Sequence, residues 1–225
     1  MTPRFTVDFG SAGAPMEPDG RLRAQAFSRN HEPIWDVIGP WLARQAGDVL
    51  ELASGTGQHC AAFAQRAPHL TFWPSDINDA HLKSIHAWRD HAGLANMRDP
   101  RRIDLMDADW AMSGADAPSP GTLTAMLAIN LTHISPWAAT ENLIAGAVRW
   151  LRPGGRLFVY GPFMQDGEHT AASNARFDAS LRAENPAWGL RDIAEMSRLA
   201  EAAGVPPIAT TPMPANNFTL AFEKA

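Results

Sequence analysis

An acid, a glycine turn and a second acid stand in the first third of this chain with a spacing that suits a nucleotide-like ligand. Glu51 precedes the turn Ala53-Ser54-Gly55-Thr56-Gly57, and Asp76 follows Gly57 by 19 positions. Glycines let a backbone pass close to a ligand. Two chemistries use such a turn. A dinucleotide needs Gly-x-Gly-x-x-Gly, so that amides and a helix N-terminus meet its pyrophosphate. Gly55 and Gly57 fit that pattern, but Cys60 stands where the third glycine belongs. S-adenosylmethionine carries no phosphate. Its cationic amino acid end suits an acid just before the turn, the position of Glu51. A carboxylate at the end of the next strand can accept both ribose hydroxyls, the position of Asp76. That second feature is shared with NAD sites, so the discrimination rests on Glu51 and Cys60. Ile77 then stands where a side chain would press on the adenine face.

Further candidates follow along the chain. Asp104, with Leu105 beside it, reads as a contact to the adenine amino group, or as a plain loop acid. Asn130 ends an apolar run, where a buried amide needs partners; it faces cofactor or substrate, or is structural. His133 comes three residues later. It reads either as a satisfied structural histidine or as a general base, since an unperturbed imidazole titrates near neutral pH. Tyr160, the single tyrosine, either donates a hydrogen bond to substrate or only packs its ring. No Cys/His spacing suggests zinc, and no metal is expected.

These residues need elements to carry them. "DVLELA", "LTFWPS", "RRIDL", "LTAMLAIN" and "RLFVYGPF" read as five strands. Helical patterns alternate with them in "EPIWDVIGPWLARQ", with Pro33 near its start, "GQHCAAFAQRA", "DAHLKSIHAWRDHAG" closed by Gly93, and "PWAATENLIAGAVRWL". Later come a helix in "LRDIAEMSRLAEAAG" and closing strands in "PIATTPMP" and "NFTLAFEKA". Such alternation predicts an α/β fold with a mostly parallel seven-stranded sheet covered by helices on both faces. Ligands then bind beyond the carboxyl ends of the strands, where Glu51, Asp76, Asp104 and Asn130 fall.

Between the fifth strand and the last helix lies a polar stretch, residues 165–188. It is too long for an ordinary connection and reads as a substrate lid. Asn174 and Asp178, with His169 and Arg182, would belong to that lid, joined by Asn216 and Asn217 of "MPANN". The alternative is a self-capping network that holds the lid closed. Trp137, and with it Trp110, stands near these loops and is a candidate substrate contact; Cys60 reads as a small core residue.

Composition narrows the class. Hydrophobic residues make up 45% and charged residues 19% of 225, a globular balance. The formal charge of -5 gives no general attraction to nucleic acid or anionic lipid. One cysteine permits no intrachain disulfide. Neither a signal peptide nor a membrane span is read, and the expected location is cytoplasmic. Residues 1–20 read as a flexible N-terminal arm and 21–225 as a single domain; the oligomeric state is left open.

The sequence also resembles the methyltransferase-like 26 family, the domain of unknown function 938. The resemblance is carried by "RNHEPI", "LELASGTGQH", "PSDIN", "AINLTHISPW", "LRPGG", "YGPF", "SNARFDASLR", "NPAWGLRD" and "MPANN", which run from Arg29 to Asn217. It implies a Rossmann-like class I methyltransferase fold. It also implies that Arg29 and Asn30 belong to the site, where Arg29 would pair with the cofactor carboxylate. Ala53 replaces the first glycine of the commonest methyltransferase turn, a departure the family shares.

The combined expectation is an S-adenosylmethionine-dependent methyltransferase acting on a small-molecule oxygen or nitrogen acceptor. "NLTH" stands where base-gripping Pro-Pro loops or metal-binding aspartates would be, so nucleic acid and metal-assisted catechol acceptors lose ground. A cofactor-binding partner subunit without turnover is the alternative, and a dinucleotide reductase a further one.

Overall fold

Buried strands of a parallel sheet read as nearly continuous apolar runs, because helices cover both faces. The computed structural model, which describes residues 16–107, 110, 112, 114 and 117–225, has that architecture. β1 (Gly47–Leu52), β2 (Leu70–Asp76), β3 (Arg101–Arg102), β4 (Leu123–Ile129) and β5 (Leu151–Gln165) are parallel neighbours in the order β3-β2-β1-β4-β5. β9 (Asn217–Glu223) pairs antiparallel with β5, and β8 (Pro207–Met213) with β9. Two-residue strands β6 (Glu168–His169) and β7 (Arg191–Asp192) attach to the far end of β5.

Alternation along each strand assigns side chains to two cores. Val49, Ala125, Leu127 and Phe158 pack beneath α1 (Gln25–Leu42), α2 (Gln58–Arg66) and α3 (Asp79–Ala92), against Ile34, Ile38, Leu42, Phe63 and Ile85. Leu50, Leu52, Met126, Ala128, Leu157 and Val159 point the other way, toward α4 (Trp137–Trp150) and α6 (Ile193–Ala202). α5 (Ala172–Glu184) belongs to neither layer. It follows the β5–β6 turn and has its own small apolar cluster, Leu181, Trp188 and Leu190.

Three elements differ from the sequence reading. α1 starts at Gln25, so Pro33 is interior rather than at the start. The Ala24 N–H donates to Gln58 Oε1 of α2 at 2.6 Å, so a contact remote in sequence fixes that helix start. Pro33 also lacks the N–H that would bond the Arg29 carbonyl one turn earlier. β5 starts at Leu151 and runs to Gln165, beyond both ends of "RLFVYGPF", and Tyr160 lies within it. The third strand is two residues, and Asp104 lies outside it in a turn where its Oδ1 accepts the Met106 N–H at 2.9 Å.

Of the expected N-terminal arm, residues 1–15 lie outside the described residues. Residues 16–22 form a tight reversal, with Glu17 N–H donating to the Arg21 carbonyl at 2.8 Å. The Leu22 backbone then docks on α3: its N–H donates to Ser84 Oγ at 2.9 Å, and its carbonyl accepts from Trp88 Nε1 at 3.0 Å.

Candidate functional site

A cavity of about 890 Å³ opens at the carboxyl ends of β1, β2, β4 and β5, the position expected of a ligand in such a sheet. Its first half is built by the turn after β1. Ala53 and Gly55 both have left-handed backbones, φ 51° and 55°. Ser54 ties the turn to β2: its N–H donates to the Ser75 carbonyl at 2.7 Å, and its Oγ accepts the Ser75 N–H at 3.2 Å. Asp76 braces the same turn, accepting the Gly55 N–H on Oδ2 at 2.8 Å. Its Oδ1 accepts the Asn78 N–H at 2.9 Å and lies 3.1 Å from His81 Nδ1. The cap of α3 is therefore Asn78, and Asp76 is left to the cavity and the turn. Ile77, Asp104 and Leu105 line the wall beyond it, and Arg29 and Asn30 of α1 stand opposite.

Glu51 sits on the cavity floor, only 1% exposed. Burial raises its carboxyl to about 8; Ser54 pulls it down, the Asp76 charge pushes it up, and the Cys60 N–H pulls it down again. Its Oε2 has no hydrogen-bond partner among the described residues. A buried, unsatisfied acceptor of this kind is costly unless something cationic or protic meets it.

The second half is formed by the exit of β4, the middle of β5, α5 and the β8–β9 turn. Asn130, His133, Tyr160, Asn174, Asn216 and Asn217 all reach it. Gly161 makes room at the centre: a Cβ there would stand 3.3 Å from His133 Nδ1 and 3.9 Å from Asn130 Oδ1. His133 is held by its backbone, whose carbonyl accepts the Gly189 N–H at 3.0 Å. Arg191 donates to the flanking carbonyls of Thr132 and Ser135 at 3.0 and 2.5 Å. Asn174 Nδ2 donates to the Asn216 carbonyl at 3.0 Å, linking α5 to the β8–β9 turn. Asn217 Nδ2 donates to the Pro214 carbonyl at 3.0 Å.

Burial, then the Arg191 charge, lowers the His133 imidazole to about 4. Its ionisation is therefore not near 6.5, as an unperturbed ring would suggest, and the ring is neutral at physiological pH. Tyr160 is raised by burial, with Asn30 and the Arg29 charge opposing the shift, so its hydroxyl keeps its proton. Asn30 Oδ1 also accepts from His59 Nε2 at 2.8 Å. His59, which burial and then the His31 charge lower to about 3, completes a line from α2 through α1 to Tyr160.

Strain concentrates here. Five non-glycine residues among those described have positive φ, and four of them, Ala53, Asn130, Ala215 and Asn216, line the cavity. Each costs about 1–3 kcal/mol and persists only where neighbours enforce it, a pattern typical of functional sites.

Six sequence candidates, Gly57, Trp110, Trp137, His169, Asp178 and Arg182, lie off the cavity wall. Gly57 caps α2 at φ 85°, where a Cβ would meet Ile85 Cα at 2.9 Å; it permits the close packing of α2 on α3. Trp137 begins α4, packed against the core beneath the Arg191 guanidinium, 5.7 Å away. Asp178 is buried behind α5, accepting from Leu190 N–H at 2.7 Å and Arg182 Nε at 3.0 Å, with His169 Nε2 at 3.1 Å. Burial alone would raise its carboxyl, but these hydrogen bonds hold it below the usual value. Asp178, His169 and Arg182 thus form a clasp. Trp110 is buried against Gly146 of α4. The sequence reading did not select Phe177, Leu181 and Trp188, which also line the cavity. The "ARFDASL" alternation of apolar and polar residues at helical spacing was the available signal.

The three shifted buried groups predict a stability optimum. His59 and His133 are depressed, so their contribution is complete above about pH 6.5 and is lost as pH falls toward about 3 and 4. Glu51 is raised, so its contribution is complete below its unfolded value and is lost as pH rises through about 8. Between about pH 4.5 and 6.5 the two histidines outweigh the one carboxyl; above that only the carboxyl acts. Urea unfolding should therefore give greatest stability near pH 6.5, with about 1 kcal/mol lost at pH 5 and at pH 8. Glu51→Gln should flatten the alkaline side and steepen the acid side, where the carboxyl no longer opposes the histidines; a wild-type curve unchanged between pH 6.5 and 8 would show that Glu51 is ionised when folded.

Among the described residues no group of three or more His, Cys, Asp or Glu side chains could hold a metal ion. No helix among them is long and apolar enough to cross a membrane.

The chain is 28% identical over 193 residues to a tRNA (guanine-N(7)-)-methyltransferase of Nocardia farcinica, covering 74% of this chain and 67% of that protein. A protein of the same name from a Synechococcus strain is 25% identical over 162 residues, 67% of this chain and 62% of its own length. In fold it is similar to an O-methyltransferase family protein from Burkholderia thailandensis, with TM-score 0.73 and 20% identity over 89% of this chain. That likeness spans 57% of the other chain, so the fold is shared over little more than half of it. A geranyl diphosphate C-methyltransferase from Streptomyces coelicolor, solved with S-adenosyl-L-homocysteine, gives TM-score 0.65 at 11% identity, covering 84% of this chain and 79% of its own. The mostly parallel sheet, with β9 antiparallel to both β5 and β8, has the Rossmann-like fold of these solved methyltransferases. Residues 21–224 match the family model described as protein of unknown function DUF938, and the chain belongs to that family.

Proposed function

We propose that this protein is an S-adenosylmethionine-dependent methyltransferase that acts on a small molecule through an oxygen or nitrogen atom. The observation that carries the reading is Glu51, a buried carboxyl with an unpartnered Oε2 beneath a left-handed glycine turn. It fits a cationic amino acid end. The exposed Arg29 guanidinium suits that group's carboxylate. Asp76 Oδ2, which accepts only the Gly55 N–H, retains acceptor capacity for a ribose hydroxyl after bracing the turn. Cys60, fully buried in α2, leaves no third glycine for a pyrophosphate, which weighs against the reductase alternative. The named methyltransferases among the relatives support the methyl-transfer part of this reading, as does the narrower resemblance to methyltransferase-like 26 proteins.

When bound, the cofactor supplies an electrophilic methyl group on sulfur. The chain's own work is alignment: reacting atoms must be held about 3–3.5 Å apart. Asn130 and Tyr160 orient the acceptor, and neutral His133 can accept its proton. α5 acts as the lid that excludes water, with the Asp178 clasp fixing it in place. A tRNA acceptor is the second reading, favoured by the names of the two relatives; a subunit that binds cofactor without turnover is a third.

Asp76→Ala tests the cofactor assignment. It removes the ribose acceptor and frees the Gly55 N–H from its partner. A lost charge-assisted bond of about 1.5–3 kcal/mol should weaken S-adenosylmethionine by roughly tenfold to a hundredfold in calorimetry. A folded mutant with unchanged affinity would defeat the assignment.

A further inference from the structure

The acceptor half of the cavity differs in chemistry from the cofactor half. Glu51, Asp76 and Asp104 lie on the cofactor side, with Arg29 between the two halves. Beyond Asn130 the lining combines Leu131, Ile134, Phe177, Leu181 and Trp188 with the uncharged amides of Asn174, Asn216 and Asn217, and Glu184 on the exposed α5 surface is the one ionised side chain among the described residues there. Phe177 is one of three exposed large hydrophobic residues among those described, 41% accessible. Unlike Met16 and Ile208 it faces the cavity, edge-on to the His133 ring with centroids 5.7 Å apart. An apolar ring left open over a concave site is the signature of a surface meant to be covered.

We propose that this half takes an uncharged, ring-bearing acceptor seated against Phe177, with its hydroxyl or ring nitrogen presented to Asn130 and His133 over Gly161. The inference rests on the methyltransferase reading and adds the substrate class. An aromatic body matches Phe177, Leu181 and Trp188, because offset or edge-to-face ring pairs add to simple burial. A single polar group matches the amide and imidazole that Gly161, lacking a Cβ, allows to sit side by side. A carboxylate or phosphate placed there would lose its hydration with no cation beside it, a large uncompensated cost. A polynucleotide needs several Lys or Arg side chains along its phosphates, and among the described residues Arg29 alone of these types lines the cavity wall.

Calorimetry on the full chain loaded with S-adenosyl-L-homocysteine tests this with three probes: 2-naphthol, 2-naphthoate and bulk tRNA. 2-Naphthol should bind, and 2-naphthoate should be weaker by at least about tenfold, a difference of about 1.4 kcal/mol. Phe177→Ala should weaken 2-naphthol by about tenfold and leave S-adenosyl-L-homocysteine unaffected. Naphthoate binding as tightly as naphthol would mean that Arg29 receives an anionic acceptor, and the proposal falls. It falls equally if tRNA binds more tightly than naphthol, if naphthol does not bind, or if Phe177→Ala changes nothing. Should S-adenosyl-L-homocysteine itself fail to bind, the cofactor reading is lost, while the naphthol comparison on unloaded protein still decides the pocket's class.

Discussion

His133→Ala is expected to slow methyl transfer by about 10²–10⁴-fold while leaving S-adenosylmethionine affinity nearly intact. The ring stands at the exit of β4, in the acceptor half of the cavity, with its backbone pinned by Gly189 and its neighbours by Arg191. Its pKa of about 4 makes it a ready proton acceptor at neutral pH, though a weak one. The rate of the native enzyme should accordingly be flat through pH 6.5 and decline only toward pH 4. A structural role gives a different result: a lower melting temperature, and activity reduced only in proportion to the folded fraction. Near-native turnover in a folded His133→Ala protein would end the base assignment and leave alignment as the whole of catalysis.

Gly57→Ala should produce the largest loss of stability of any single methyl addition in the cofactor turn. Its φ of 85° disfavours any side chain, and the new Cβ would lie 2.9 Å from Ile85 Cα and 2.8 Å from its Cγ1. Backbone cannot swing aside as a side-chain tip can, so α2 and α3 must separate. The strain and the overpacking each cost about 1–3 kcal/mol, which lowers the melting temperature on the order of 10 °C. Gly55→Ala is the control: its φ is also positive, but a Cβ there meets nothing within 4 Å, so only the strain should register. Equal urea midpoints for the two variants would remove the close packing from the explanation of Gly57.

Much of this arrangement was legible in the sequence because the period of the strands is simple. Apolar runs such as "DVLELA" and "LTAMLAIN" mark strands covered on both faces, and the polar residue near the carboxyl end of each, Glu51 or Asn130, marks the rim of the sheet. Glu51 and Asp76 were therefore locatable without coordinates. Contacts between distant segments were not. The start of α1 depends on Gln58, 34 residues away, and the role of His59 depends on Asn30, 29 residues away. Asp178 reads as a lid residue by its position, yet its partners Leu190 and His169 turn it inward. Phe177 escaped notice because the polar residues around it resemble those of a loop, while α5 aligns it with Leu181 on the cavity side. The histidine ionisation was missed for a related reason: burial and the nearby Arg191 charge come from tertiary structure, not from residue type.

The separate cluster under α5 has a consequence for how the family can diversify. On the proposed reading the cofactor meets mainly the first 130 residues and the acceptor mainly residues from Asn130 onward, whose α5 part packs on Leu181, Trp188 and Leu190 rather than on the sheet cores. Substitutions on the inner face of α5 can therefore accumulate without disturbing the two large cores that stabilise the domain. If α5 seats the acceptor as proposed, relatives with different acceptors are expected to differ at positions 177, 181 and 188 while keeping "LELASGTGQH".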